Sequence, residues 1–307
     1  MVGRHQDTTV RLVALLMLLA GASGCLAPLH KGGVALSEAT APVVDQAAAA
    51  YRDANAIHDL RVDYDAVSRF DEASPVYNPR NTETLLSEKD IEARVAVIAA
   101  FQEYANLLVA ISSGTDSPGL QAGSRSVGEN LTTFANSLAT TRASASPPAI
   151  TPEVRNGIST AVDALGQFLV NRKIKKELPQ AIVAMDPHVQ SLCTLLEDDV
   201  QILEEQERSD YNRIVDQQTL FIRENAKMDP EQRRVEIMKL PGFVRQQRTG
   251  EARLASLRAA INRLATAHRA LAAEAQGRSA ESLADKLAEL ASAGVNLGNF
   301  YQSLPAK

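Results

Sequence analysis

The 307-residue sequence contains no tryptophan, two cysteines and only 4% aromatic residues. Two cysteines exclude a disulfide-built scaffold and a zinc module made from cysteine. Glycine and proline are sparse, 16 and 13, whereas hydrophobic residues make up 45% of the chain, which excludes a collagen-like or disordered polypeptide. Positive charge is not in excess. The formal net charge of −5 argues against a protein whose main partner is nucleic acid, because counterion release needs clustered cations. The apolar run Leu12 to Ser23 has 12 residues, short of the about 20 that a membrane-spanning helix requires.

What is abundant is Ala, Leu, Glu, Gln and Arg, which lose little rotamer freedom in a helix. Apolar positions recur at three- and four-residue steps, and no alternating strand pattern interrupts them. The expectation is an all-α fold, an elongated multi-helix bundle with long antiparallel helices. Helices are predicted over about 39–73, 87–113, 119–142, 152–177 and 187–229. Asp229-Pro230 opens a short helix that Leu240-Pro241-Gly242 interrupts. Two more follow, over about 243–275 and 279–303, separated at Gly277. Ser87 with Asp90 reads as a capping box. The stretch after Pro187 carries Val189, Leu192, Leu196, Val200, Leu203, Tyr211, Ile214 and Phe221 in step with no Gly or Pro before Pro230. Glu207 and Gln218 fall on the same seam, which favours a helix shared by a bundle over an isolated coiled coil. Phe101-x-x-Tyr104-Ala105-Asn106-x-Leu108 has an echo thirty residues on, at Leu131 to Leu138, which reads as two similar core helices.

Arg4 and Arg11 precede the run Leu12 to Ser23, which ends in Ala22-Ser23-Gly24-Cys25. This resembles the lipobox of bacterial lipoproteins, with Ala22 where that family prefers Leu. The resemblance implies that 1–24 is a signal peptide, that Cys25 is diacylated and becomes the first mature residue, and that the chain is lipid-anchored. Leu26, rather than Asp, after the cysteine implies the periplasmic face of the outer membrane if the cell has two membranes. The remaining chain divides into a tether at 25–38, an N-terminal helical region at 39–142, a linker at 143–151 and a C-terminal bundle at 152–307, the two helical regions forming either two bundles or one.

Chemistry is thinly represented. No GxSxG, GxxxxGK[ST] or GxGxxG occurs, and no histidine stands in HExxH or Glu-x-x-His spacing, so no catalytic residue, metal or cofactor is assigned beyond the lipid on Cys25. Cys193 lies on an apolar helical face and reads as a buried structural thiol. Carboxylates cluster at Asp59, Asp63 and Asp65, at Glu197, Asp198 and Asp199, and at Glu204, Glu205 and Glu207, and read chiefly as solvated faces. Arg172, Lys173, Lys175 and Lys176 surround Ile174. Near the end of the helix predicted there they complement its dipole, and their functional reading is contact with anionic lipid head groups or polymer. Arg233-Arg234 and Arg245/Arg248 carry the same two readings. The sequence thus reads as a membrane-anchored, non-catalytic adaptor that binds an envelope protein or polymer. The alternatives are a carrier or sensor of a lipid or small apolar ligand, and an all-α enzyme acting on cell-wall material.

Overall fold

Apolar residues at helical spacing produce helices throughout the computed structural model, which describes residues 26–71, 84–113, 174–278 and 283–303. The fold is all-α: α1 (Leu26–Asp71), α2 (Glu88–Ser113), α3 (Ile174–Glu224), α4 (Pro230–Ala275) and α5 (Leu283–Ser303), with no strand among the described residues. Helix ends fall where local chemistry sets them. Ser87 Oγ accepts the Asp90 N–H at 3.2 Å and Asp90 Oδ2 accepts the Ser87 N–H at 3.1 Å, closing the capping box of α2. Asp229 Oδ2 accepts the N–H groups of Glu231 and Gln232 at the start of α4. At its other end Gly277 (φ 67°) takes the left-handed conformation, with Gly277 N–H on Glu274 O and Arg278 N–H on Ala273 O. This pair of bonds forms a Schellman turn that sends α5 back along α4.

Two sequence expectations are corrected. The segment 26–38 is not a tether: it is the first three turns of α1, with Leu29 and Leu36 in the core and His30 Nδ1 2.8 Å from Ser112 Oγ on α2. Its apolar residues were too few and its glycines too prominent to announce a helix, but α2 supplies the packing that holds it. Prolines also fail to break helices where expected, since Pro179, Pro187 and Pro241 lie inside α3 and α4, just as Pro42 lies inside α1. A mid-helix proline costs about 3 kcal/mol. None of these four is buried, and packing along more than forty residues offsets the loss. The linker at 143–151, the helix at 119–142 with its echo at 131–138, and the loop at 74–82 lie outside the described residues.

Side-chain pairs define the topology. Asn55 with Leu86 and Ser37 with Asn106 run α1 antiparallel to α2. Asp186 with His268, Glu207 with Arg253 and Gln218 with Glu236 run α3 antiparallel to α4. His58 with Asp210 and Asp65 with Arg213 run α1 parallel to α3. At 1.5 Å per residue, the 46 residues of α1 make a rod of about 70 Å.

That rod has two halves. The first is a broad head, where α2 and α5 join α1, α3 and α4 around one apolar core to which all five helices contribute, including Val43, Tyr51, Ile98, Leu196, Leu257 and Leu290. α2 is the described helix apolar and long enough to cross a bilayer, yet half of that stretch is buried here. The second half is a narrower stem. α2 begins opposite Arg52, and beyond Asn55 the described partners are α1, α3 and α4 alone. Close approach inside the stem requires Gly250: a Cβ there would stand 1.7 Å from Glu207 Oε1. We expect Gly250→Ala to lower stability by about 1–3 kcal/mol through overpacking, read as a lower urea midpoint.

Candidate functional site

Charged groups are the features of this structure that apolar periodicity does not explain, and they concentrate in the stem's interior. Arg253 donates to Glu207 Oε2 at 2.8 Å and to Asp53 Oδ2 at 3.0 Å. One step further out, His58 Nδ1 lies 3.0 Å from Asp210 Oδ2 while Arg61 Nη2 lies 3.1 Å from His58 Nε2. Further still, Asp65 accepts from Arg61 and Arg213, both at 2.7 Å, and from Gln217. Gln218 donates to Glu236 Oε2 at 2.8 Å. The seam residues Glu207 and Gln218 are therefore paired rather than simply tolerated.

Electrostatics follow the pairing. Burial raises the Asp65 carboxyl, but hydrogen bonds from Arg61 and Gln217 and the Arg213 charge outweigh it and hold the group below its usual range. For Glu207 burial dominates over Arg253 and leaves the carboxyl raised. A carboxyl depressed in the folded state contributes stability that is complete above its unfolded pKa and is lost as pH falls through the folded value. Stability should therefore fall below about pH 4. Asp65→Asn is expected to flatten that acid limb in urea titrations from pH 5 to pH 2.

A second cluster lies in the head. His268 Nδ1 is 3.0 Å from Asp186 Oδ1, and the Tyr104 hydroxyl oxygen lies 3.2 Å from His268 Nε2, joining α2, α3 and α4. The order carboxylate–imidazole–hydroxyl is that of a nucleophile relay. Here it is closed, because His268 and Tyr104 are 1% and 4% exposed. Burial, reinforced by the Asp186 charge, pushes the Tyr104 hydroxyl far above its ordinary value, the opposite of activation.

The carboxylate clusters of the sequence separate by role. Asp59, Asp63, Asp198 and Glu205 are exposed, but Asp65, Asp199 and Glu207 are buried ion-pair members, which corrects the solvated-face reading for those three. Asp199 takes a two-pronged contact from Arg94, Nε at 2.8 Å and Nη2 at 2.9 Å, and the guanidinium lies 5.9 Å from the centre of the Tyr51 ring. Arg94 and Arg253 went unnoticed in the sequence. Their signal is a cation on the apolar stripe, Arg94 between Ile91 and Ile98, matched by a carboxylate on the stripe of another helix. Cys193 is buried and its thiol is raised by that burial, as a structural thiol should be. Among the described residues no group of three or more His, Cys, Asp or Glu is placed to hold a metal ion.

Cys25, Arg172 and Lys173 lie outside the described residues. Lys175 and Lys176 lie in α3, which runs on through Pro179, so they do not cap the end of a helix and the dipole reading fails for them. The other basic pairs fare differently. Arg233, Arg234, Arg245 and Arg248 lie on the stem end of α4, where α4 turns exposed apolar side chains outward: Val235 (58%), Ile237, Met238 (65%) and Val244. Val67 and Leu220 extend this patch across α1 and α3, beside a groove of about 680 Å³ that includes Tyr64 and Phe221. Among the described residues, six of the seven large exposed hydrophobics thus gather at the stem tip, an arrangement that marks a contact surface.

The described residues form a helical bundle with an ion-paired interior and an exposed apolar patch at the stem tip. No protein-family model matches the chain, and no curated protein or solved structure is detectably similar to it.

Proposed function

We propose that this protein is a lipid-anchored helical adaptor of the cell envelope, held at a membrane through Cys25 and binding a partner through the tip of its stem. One observation carries the reading: the exposed apolar patch lies at the opposite end of α1 from Leu26, with Val67 about 60 Å along the helix from the residue that follows Cys25. A rod with its anchor at one end and its contact surface at the other projects that surface away from the bilayer. Confinement to the membrane surface raises its effective concentration toward partners there. The cations around Val235 and Met238 suit a partner that presents apolar side chains rimmed by acidic groups. A non-catalytic role accords with the closed state of the Asp186–His268–Tyr104 cluster and with the pairing of the stem carboxylates to arginines.

The test pairs two substitutions. Val235→Asp with Met238→Asp is expected to abolish a discrete detergent-solubilised complex on native gels while leaving the membrane fraction unchanged. Cys25→Ser is expected to do the reverse, releasing the protein from membranes while the solubilised complex still forms. Loss of neither property would refute the reading.

A further inference from the structure

The stem tip carries two surfaces of opposite charge. One is the groove of about 680 Å³ between α1, α3 and α4, where Tyr64, Val67, Leu220 and Phe221 supply apolar walls. The charged groups lining it are Asp63, Glu224, Glu236 and Lys239. Lys239 bonds Glu236 at 2.6 Å, which leaves Asp63 and Glu224, both exposed and without an ion pair among the described residues. The other surface is the outer face of α4. Gln218 binds Glu236, and the Tyr64 and Phe243 rings meet edge-on at 5.7 Å, so Glu236 and Phe243 mark the side of α4 turned toward α3 and α1. At about 100° per residue, Val235, Ile237, Met238, Val244, Arg245 and Arg248 fall on the other sides, and all six are exposed. Arg233 and Arg234 are engaged within the chain, on Ile222 O and Glu231, whereas Arg245 and Arg248 make no ion pair among the described residues. Beside Met238, a Cβ added at Gly242 would meet nothing within 4 Å, so the described residues leave this face uncovered.

The partner that the α4 face suits, apolar side chains rimmed by acidic groups, is present on the chain itself. We infer that the stem tip pairs with the stem tip of a second copy, the α4 face of each entering the groove of the other, with Arg245 and Arg248 set against Asp63 and Glu224. This rests on the reading of the tip as the contact surface. Two complementary patches side by side on one chain meet twice about a two-fold axis, so the interface closes at a dimer and leaves neither patch over. The groove's twelve lining residues, with the outer face of α4 from Arg234 to Arg248, approach one side of a standard interface, about 20–30 residues. Pairing withdraws the exposed apolar side chains from water and matches the two signs of charge. An anionic membrane surface is a poorer match. It would attract Arg245 and Arg248 but set Asp63 and Glu224 against charge of their own sign.

The test co-expresses two full-length copies carrying different tags, solubilises them and purifies one tag. The expected result is co-purification of the other tag, reduced at least ten-fold when both copies carry Arg245→Glu with Arg248→Glu, and equally when both carry Asp63→Arg with Glu224→Arg. All four side chains are exposed, so neither pair of substitutions reaches the core. One copy bearing the first pair and one bearing the second should co-purify as the wild type does, because each α4 face then meets a groove of opposite sign. Neither a folding defect nor a shared micelle produces that pattern. Failure of the mixed copies to restore co-purification, or co-purification indifferent to all four reversals, would overturn the inference. Wild-type tags that stay separate, while native gels still show a complex dependent on Val235 and Met238, would assign the tip to a different polypeptide. That result overturns the second copy and leaves the contact surface intact. Absence of any complex dependent on Val235 and Met238 would overturn both.

Discussion

Replacing Arg94 by Ala should destabilise the bundle by about 3–5 kcal/mol, the range for removing one member of a buried ion pair. The side chain is 1% exposed, binds both oxygens of Asp199, donates to Asp90 O at 3.1 Å and covers Tyr51. Its loss strands the buried Asp199 carboxylate without its arginine, and the cost is chiefly that stranded charge rather than the missing contact. The double substitution Arg94→Leu with Asp199→Leu should therefore recover most of the loss, because it removes both charges from the apolar core. Urea denaturation followed by circular dichroism measures all three proteins. A double variant no more stable than Arg94→Ala would show that the pair contributes through geometry the leucines cannot supply.

Cys25→Ser should remove the protein from the membrane fraction almost completely. Each buried methylene contributes about 0.8 kcal/mol, and two acyl chains hold a protein where one chain alone binds only marginally. Carbonate- and salt-washed membranes should retain the wild type and lose the variant by more than ten-fold. Metabolic palmitate labelling should vanish in parallel. Retention of the variant after a high-salt wash would point to another apolar attachment, whereas its release by salt alone would point to the basic residues of the stem.

The helical class was legible because Val189 to Phe221 and Leu254 to Leu271 repeat at helical spacing for many turns, a signal that tertiary context rarely overrides. The caps at Ser87 and Asp229 and the turn at Gly277 were legible for the same reason, since each is local chemistry. Proline was misread at Pro187 and Pro241. Its penalty is a fixed local amount, but the packing that outweighs it is spread over the whole of α3 and α4 and appears in no short window. The start of α1 was missed because Leu29 and Leu36 need α2 to bury them, and that partner lies some seventy residues away. Buried charges were least legible. Asp199 and Glu207 looked like members of acidic clusters, and only the structure brings Arg94 and Arg253 across from other helices to neutralise them. The tip patch was half legible: the arginine pairs were noted, but exposure of Val235 and Met238 depends on which face α4 turns away from α3, to which Gln218–Glu236 and Arg233–Ile222 bind it.

An anchored rod that binds through its far end makes one spatial claim above all. A photo-crosslinking amino acid placed at Met238 should give discrete adducts with an envelope component in intact cells. The same probe at Ala259, exposed on the α4 face of the head, should give none. Adducts of equal yield at both positions, or none at Met238, would contradict the account.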